Sequence, residues 1–309
     1  MRVGDTTMTA GAGPRTFTRG DGEALRVVEG FRDHVLSYRA AVTPKPGWSE
    51  ADYEAAAEKK RRRLRRLSES LRRMASLPDG ARVLDVGCGD GANCVLLARE
   101  RWVGLAAGID LQLPACGVDE RGEQARRLIR RLAGGESGVC LLQMDGTRMG
   151  FASEGFDVAM SRSAMEHIKP VGQVLAEMVR VVRRGGLIYL GIDPFFWVRG
   201  CHKRGVVDVP WAHARLTLDE YQRLVTELEG EDAAAKRRQR LETLNRFTVA
   251  TWRETVSALP CDVLDWKETT SEIGQRLLEQ FPEVEETLLP GVETIDLLTE
   301  RIEVWLRKG

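Results

Sequence analysis

The sequence has no surplus of charge of either sign. Its 46 Lys and Arg balance 46 Asp and Glu over 309 residues. No global field therefore draws the chain to nucleic acid or to an anionic membrane. It has no apolar run long enough to span a bilayer, so no membrane association is expected. The opening residues, MRVGDTTMTAGAGPRTFTRGDG, lack the apolar core of a secretory signal. Six cysteines occur without a CxxC pair: Cys88 and Cys94 lie close in sequence, and Cys116, Cys140, Cys201 and Cys261 are scattered. That usage predicts reduced thiols and a cytoplasmic location in preference to a disulfide framework. Aromatic residues are only 6% of the chain and histidines number four, so the places where they gather carry information.

What is present is a 43% apolar fraction, enough for one large domain or one domain with an appendage. Residues 1–22 are rich in Gly and Thr and are expected to be disordered. Residues 23–78 are expected to form a helical N-terminal extension. In it, Glu23–Arg39 reads as a helix with Leu25, Val28 and Val35 apolar, interrupted by Pro44-Lys45-Pro46-Gly47. A second helix is predicted over Ser49–Ala75, with Ser49 as N-cap and Asp52 three residues on. Leu64, Leu67, Leu71 and Met74 make one apolar stripe of it. Its other face is dense in base (Lys59, Lys60, Arg61, Arg62, Arg63, Arg65, Arg66) and reads as a solvated face or a phosphate-binding one.

From Ala81 apolar runs alternate with helical patterns, which predicts a parallel sheet in βαβ units. Residues 79–193 form this core. Its strands are Arg82–Val86, about Ala106–Asp110, Val139–Gln143, Phe156–Ser161 and Leu187–Ile192. Its helices are Glu120–Leu132, ended by Gly134-Gly135, and about Val171–Val182, followed by a turn at Arg183-Arg184-Gly185-Gly186. Residues 194–260 are a loop and helical insertion, with a Thr217–Glu220 capping box and a long helix over about Glu231–Leu259. Residues 261–309 add strands at Asp262–Lys267 and Arg301–Arg307.

The densest signal is Val83-Leu84-Asp85-Val86 running into Gly87-Cys88-Gly89-Asp90-Gly91, with Asp110 at the end of the next apolar run. Glycines there allow positive φ and a close approach of ligand to backbone. An acid at the second strand tip can accept from ribose hydroxyls. The spacing also fits the dinucleotide form, GxGxxG/A. Asp85, two residues before the first glycine, suits a ligand with an ammonium group and is poorly placed beside a pyrophosphate. The segment VLDVGCGDGANCVLLARE resembles motif I of the class I S-adenosylmethionine-dependent methyltransferases, and MDGTRMGFASEGFDVAMS is similar to their later core. The NPPY and DPPY signatures of other methyltransferase groups are absent.

The resemblance implies a Rossmann-like, doubly wound, seven-stranded and mostly parallel sheet with a helical cap after the fifth strand, the last strand antiparallel. It implies S-adenosylmethionine as cofactor. Gly87, Cys88, Gly89 and Gly91 would pass under its methionine end near Asp85. Asp110 would hold the ribose, Leu111 or Gln112 would flank the adenine, Met144 and Asp145 would meet the adenine, and Ser161 would stand close by. It also implies transfer of a methyl group to a small molecule, with oxygen the leading acceptor atom. A histidine is then the expected base near neutral pH. His167 and His213 are the candidates, with His202, Trp197 and Trp211 expected to bind substrate; His34 lies elsewhere. His202, Asp208 and His213 could offer ligand atoms, but their spacing matches no metal motif, so no metal is expected. A homo-oligomer stays open. The alternatives are a nucleic acid or protein methyltransferase tethered by the Arg-rich helix, and a non-catalytic cofactor-binding partner subunit. A hydride-transfer enzyme is disfavoured by Asp85 and by the lack of a second dinucleotide half.

Overall fold

The computed structural model describes residues 15–38, 47–113, 119–132 and 138–309. Cys116, Gly134-Gly135 and most of the Pro44–Gly47 interruption lie outside them, as do residues 1–14. The chain begins with β1 (Thr16–Thr18) and β2 (Ala24–Arg26), an antiparallel hairpin, and α1 (Phe31–Ser37). The expected helix over Glu23–Arg39 is thus corrected to a strand and a short helix, and the expected disorder through residue 22 does not hold from Thr16 on. The cause is long-range. Phe17, Leu25, Phe31 and Val35 are drawn into a core made with residues far along the chain. Gly30, at φ 79°, makes the break before α1.

Next comes α2 (Glu50–Met74), whose capping box uses Ser49 and Asp52 as the sequence predicts. Its stripe, with Leu64, Leu67 and Leu71 buried, packs on the sheet's first layer, and Trp102 Nε1 donates to Ser68 Oγ at 3.1 Å. Much of its basic face is engaged locally. Lys60 pairs with Asp90 at 3.0 Å, and Arg61 reaches Glu54 and the Arg131 carbonyl. Arg62, Arg65 and Arg66 remain on the exposed side.

The core follows as β3 (Ala81–Val86), α3 (Ala92–Leu97), β4 (Val103–Asp110), α4 (Glu120–Leu132), β5 (Val139–Gln143), β6 (Phe156–Arg162), α5 (Val171–Val181) and β7 (Val182–Ile192). The Arg183–Gly186 turn is corrected: these residues continue β7 through a register shift, with Gly185 at φ 69°. The insertion holds α6 (His202–Gly205), α7 (Ala212–Arg215), α8 (Leu218–Glu229), α9 (Glu231–Glu242) and α10 (Val249–Ser257). The single long helix expected over Glu231–Leu259 is therefore two. Then come β8 (Cys261–Thr270), α11 (Glu272–Gln280), α12 (Thr294–Leu298) and β9 (Thr299–Lys308).

The strands lie in the order β5-β4-β3-β6-β7-β9-β8. Neighbours from β5 to β7 are parallel, and β9 runs antiparallel to both β7 and β8. The chain winds outward from β3 to β5 and then returns to β3's other side with β6. Ligands of open α/β sheets bind at such a reversal, outside the carboxyl ends of the strands. Two cores flank the sheet. A third lies beyond its carboxyl end and is built from the N-terminal hairpin, residues 195–244 and residues 273–297. The cap is thus assembled from three stretches of chain rather than from the insertion alone.

Candidate functional site

Between the carboxyl ends of β3, β4 and β6 lies a cavity of about 850 Å³. This size is typical of cofactor and small-ligand sites. Of the residues singled out in the sequence, Gly87, Cys88, Gly89, Asp110, Leu111, Met144, Asp145 and His167 line it. The glycine turn is anchored by its own backbone: the Gly87 and Cys88 amides donate to the Ile109 carbonyl at 2.8 and 3.0 Å. Gly87 sits at φ 76° with the side chain of Ala164 where its own Cβ would lie, a separation of 2.4 Å. Asp110 binds the turn to the tip of β4, its carboxylate accepting from Gly89 N at 2.9 Å and Gln112 N at 3.0 Å. Asp145 Oδ1 accepts from the Thr147 amide and hydroxyl, both at 2.8 Å, which holds the carboxyl below its usual range.

Other expected residues stand behind the wall. Asp85 is buried and meets the cavity only through Asn93, whose Nδ2 donates to Asp85 Oδ2 at 3.2 Å. Burial pushes the Asp85 carboxyl up to about 7, opposed by the Asn93 bond. Gly91 caps α3 at φ 76°, with Leu141 Cδ1 2.5 Å from where a Cβ would be, so its part is to let α3 approach β5. Ser161 lies within β6, fully buried, its Oγ without a partner.

The substrate-side expectations need larger corrections. His213 does not reach the cavity. It is 3% exposed, its Nε2 donates to the Trp197 carbonyl at 3.1 Å, and its ring stands edge-on to Phe195. Trp197 and Trp211 are buried in the same cap core and form no lid over the pocket. The physical reason is shared: in a cap built from short helices, the aromatics supply most of the apolar area that holds it together. Asp208 accepts from Arg32 N at 2.9 Å and so ties α1 to the cap. The His202, Asp208 and His213 set is not gathered into one site.

Burial also holds the His213 imidazole down at about 4, with the Trp197 carbonyl opposing. Below pH about 6.5 the unfolded histidine takes a proton that the folded one refuses until about 4. Stability from this residue is therefore lost as pH falls through that window, by up to about 3 kcal/mol. His213→Gln should flatten the slope of unfolding free energy against pH between 6.5 and 4, measured by urea titration. An unchanged slope would show that His213 is not the buried neutral group described.

His167 is placed differently. It ends a short 3₁₀ turn, Met165–His167, that follows β6. The turn is clamped from the insertion: Asn245 Nδ2 donates to the Met165 and Ile168 carbonyls at 2.6 and 3.0 Å, and Asn245 N donates to the Glu166 carbonyl at 2.9 Å. His202 stacks on His167 at 4.9 Å between ring centroids and 18° between planes, on a backbone at φ 57°. Burial first, then Arg240, hold the His167 imidazole down at about 4. For His202 the causes are burial, His167 and Arg240, and the value is again about 4. Both rings are neutral near pH 7. Beside them Glu166 is 2% exposed, and burial with Asp193 nearby raises its carboxyl well above the usual range.

Sequence reasoning assigned no role to several residues of the wall: Lys60, Asp90, Asn93, Arg162, Ser163 and Arg240. Asn93 was within reach, since it begins the helix after the glycine turn. Lys60 and Arg240 arrive from α2 and α9, which no local pattern links to the turn.

Residues 84–190 match a family model described as a methyltransferase domain. With the sheet order, the glycine turn and Asp110, this makes the core a class I S-adenosylmethionine-dependent methyltransferase domain, whose cofactor is S-adenosylmethionine. Among particular proteins, a stretch of 124 residues is 30% identical to an S-adenosyl-L-methionine-dependent Diels-Alderase of Talaromyces variabilis, over 40% of each chain. Another of 138 residues is 28% identical to a phthiotriol/phenolphthiotriol dimycocerosates methyltransferase of Mycobacterium leprae, over 44% of this chain and 45% of that protein. Each similarity thus spans under half the length of the relative. A solved S-adenosylmethionine dependent methyltransferase from Mesorhizobium loti aligns over 78% of this chain and 96% of its own, at 17% identity and a TM-score of 0.45. Among the described residues, no helix is long and apolar enough to cross a membrane.

Proposed function

We propose that the protein transfers the methyl group of S-adenosylmethionine to a small-molecule acceptor, at an oxygen atom. The observation that carries this is the Asp110 carboxylate at the cavity wall, fixed to the Gly89 amide at the tip of the switch-point strands. The carboxylate suits a ribose diol, and the glycine turn beside buried Asp85 suits an amino acid end. Arg162, Ser163 and His167 line the side of the cavity beside β6, where an acceptor would meet the methyl group of the bound cofactor. His167, neutral and lining the cavity, offers a lone pair to the acceptor's proton. A small acceptor is supported by zero net charge and by the engagement of Lys60 and Arg61 within the fold.

Calorimetry with S-adenosylhomocysteine tests the cofactor site. Binding is expected for the intact protein, and Asp110→Asn should weaken it by roughly ten- to a hundredfold, the value of one or two hydrogen bonds to a charged group. Binding of NAD with none of S-adenosylhomocysteine would sink the proposal. A second reading is favoured by the Talaromyces variabilis relative, named a Diels-Alderase: the cofactor is held but its methyl group stays in place. Formation of S-adenosylhomocysteine during turnover separates the two.

A further inference from the structure

Behind the wall at His167, three side chains converge with nothing between them. One ligand atom each from Glu166, His167 and His202 lies within 4.8 Å of the others. The Nε2 of His202 is buried without a hydrogen-bond partner, and the deeply buried Glu166 carboxylate has no side-chain partner among the described residues. Buried polar atoms are almost always partnered, and leaving one alone costs about 1–3 kcal/mol. Two imidazoles and a carboxylate form a nitrogen-and-oxygen donor set suited to a divalent transition ion of the zinc or iron(II) kind, and poorly suited to magnesium or calcium.

We propose that Glu166, His167 and His202 bind one divalent transition-metal ion at the edge of the acceptor pocket. Tetrahedral ligand atoms stand about 3.4 Å apart at ordinary zinc bond lengths, so the set closes when His167 and His202 turn out of their stack and bring both ring edges to the ion. The backbone supports this. The Met165–His167 turn is clamped by Asn245, and His202 is held at φ 57°, a costly conformation that keeps its ring against His167. Asp193 adds negative charge near Glu166, while Arg240 opposes a cation. His167 lines the cavity, so an ion held by this set would lie at its edge, and it would supply the acidity of an acceptor hydroxyl in place of the His167 lone pair, which coordination would occupy. This last role rests on the methyl-transfer proposal; the binding of the ion does not.

The test is cobalt(II) binding to the full chain with any affinity tag removed, followed by visible absorption and by elemental analysis after dialysis. One ion per chain is expected, with Glu166→Gln and His202→Ala each weakening it at least tenfold. Asn93→Ala, outside the set, should leave it unchanged. Affinity for S-adenosylhomocysteine is measured in parallel and should change less than twofold in Glu166→Gln, which also reports that this near-isosteric variant is folded. Cobalt binding that is absent, or that survives both substitutions, overturns the ion site while cofactor binding stands. Failure of cofactor binding with one bound ion overturns the methyl-transfer proposal and leaves the ion site intact.

Discussion

His167→Ala is expected to lower turnover by about a hundred- to ten-thousandfold, the usual contribution of a positioned acid–base group. Cofactor affinity should change little. His167 is the histidine that both lines the cavity and is gripped by the insertion through its own turn. His213, its partner in the sequence-based expectation, is buried against Trp197 and should behave as a stability residue. The contrast makes the prediction sharp. Single-turnover assays of His167→Ala and His213→Gln, normalised to cofactor-binding sites, should show a large loss in the first only. Equal losses would mean that the catalytic base is wrongly assigned.

The second large effect concerns Gly87→Ala. Its φ of 76° is a left-handed conformation, which costs an L side chain roughly 1–2 kcal/mol. The added methyl would also stand 2.4 Å from the Ala164 Cβ, and relieving an overpacked contact costs about 1–3 kcal/mol more. A loss of about 2–5 kcal/mol is therefore expected, or a fall in Tm of roughly ten degrees. Ala164 begins the segment that carries Glu166 and His167, so the same methyl should weaken S-adenosylhomocysteine and displace the acceptor side together. Gly172→Ala is the control. That glycine lies in α5 with ordinary φ and no atom within 4 Å of an added Cβ, so substitution should be neutral or slightly stabilising. Equal thermal shifts for the two variants would remove the steric account of the turn.

The parts of the molecule legible in the sequence are those decided by neighbours a few residues apart. The capping boxes at Ser49 and Thr217 are closed within four residues, and both form. The Gly87–Gly91 turn and Asp110 were readable because strand, turn and acid fall at fixed spacing. The break between α9 and α10 was not. No glycine or proline marks it; Asn245 leaves the helix to bond carbonyls 77 and 80 residues away. The hairpin at Thr16–Arg26 is likewise made by a distant core. Trp197, Trp211 and His213 were misplaced for a different reason. Composition says that aromatics gather there but not which way they face, and their burial within the cap had no local signature. Glu166 shows the same limit: nothing beside it in sequence announces that its carboxyl is buried against His167 and His202.

The cap core joins Phe17 and Leu25 near one end of the chain to Leu277 and Leu297 near the other. During synthesis the sheet strands β3 to β7 are available to pair long before residues 273–297 leave the ribosome. The cap must therefore wait, with Phe17, Leu25 and the aromatics of residues 195–211 exposed in the interval. Sequence separation of this size slows closure. Refolding should show the sheet's far-ultraviolet signal recovering ahead of tryptophan burial, and the nascent chain should be most vulnerable to aggregation and proteolysis in that gap.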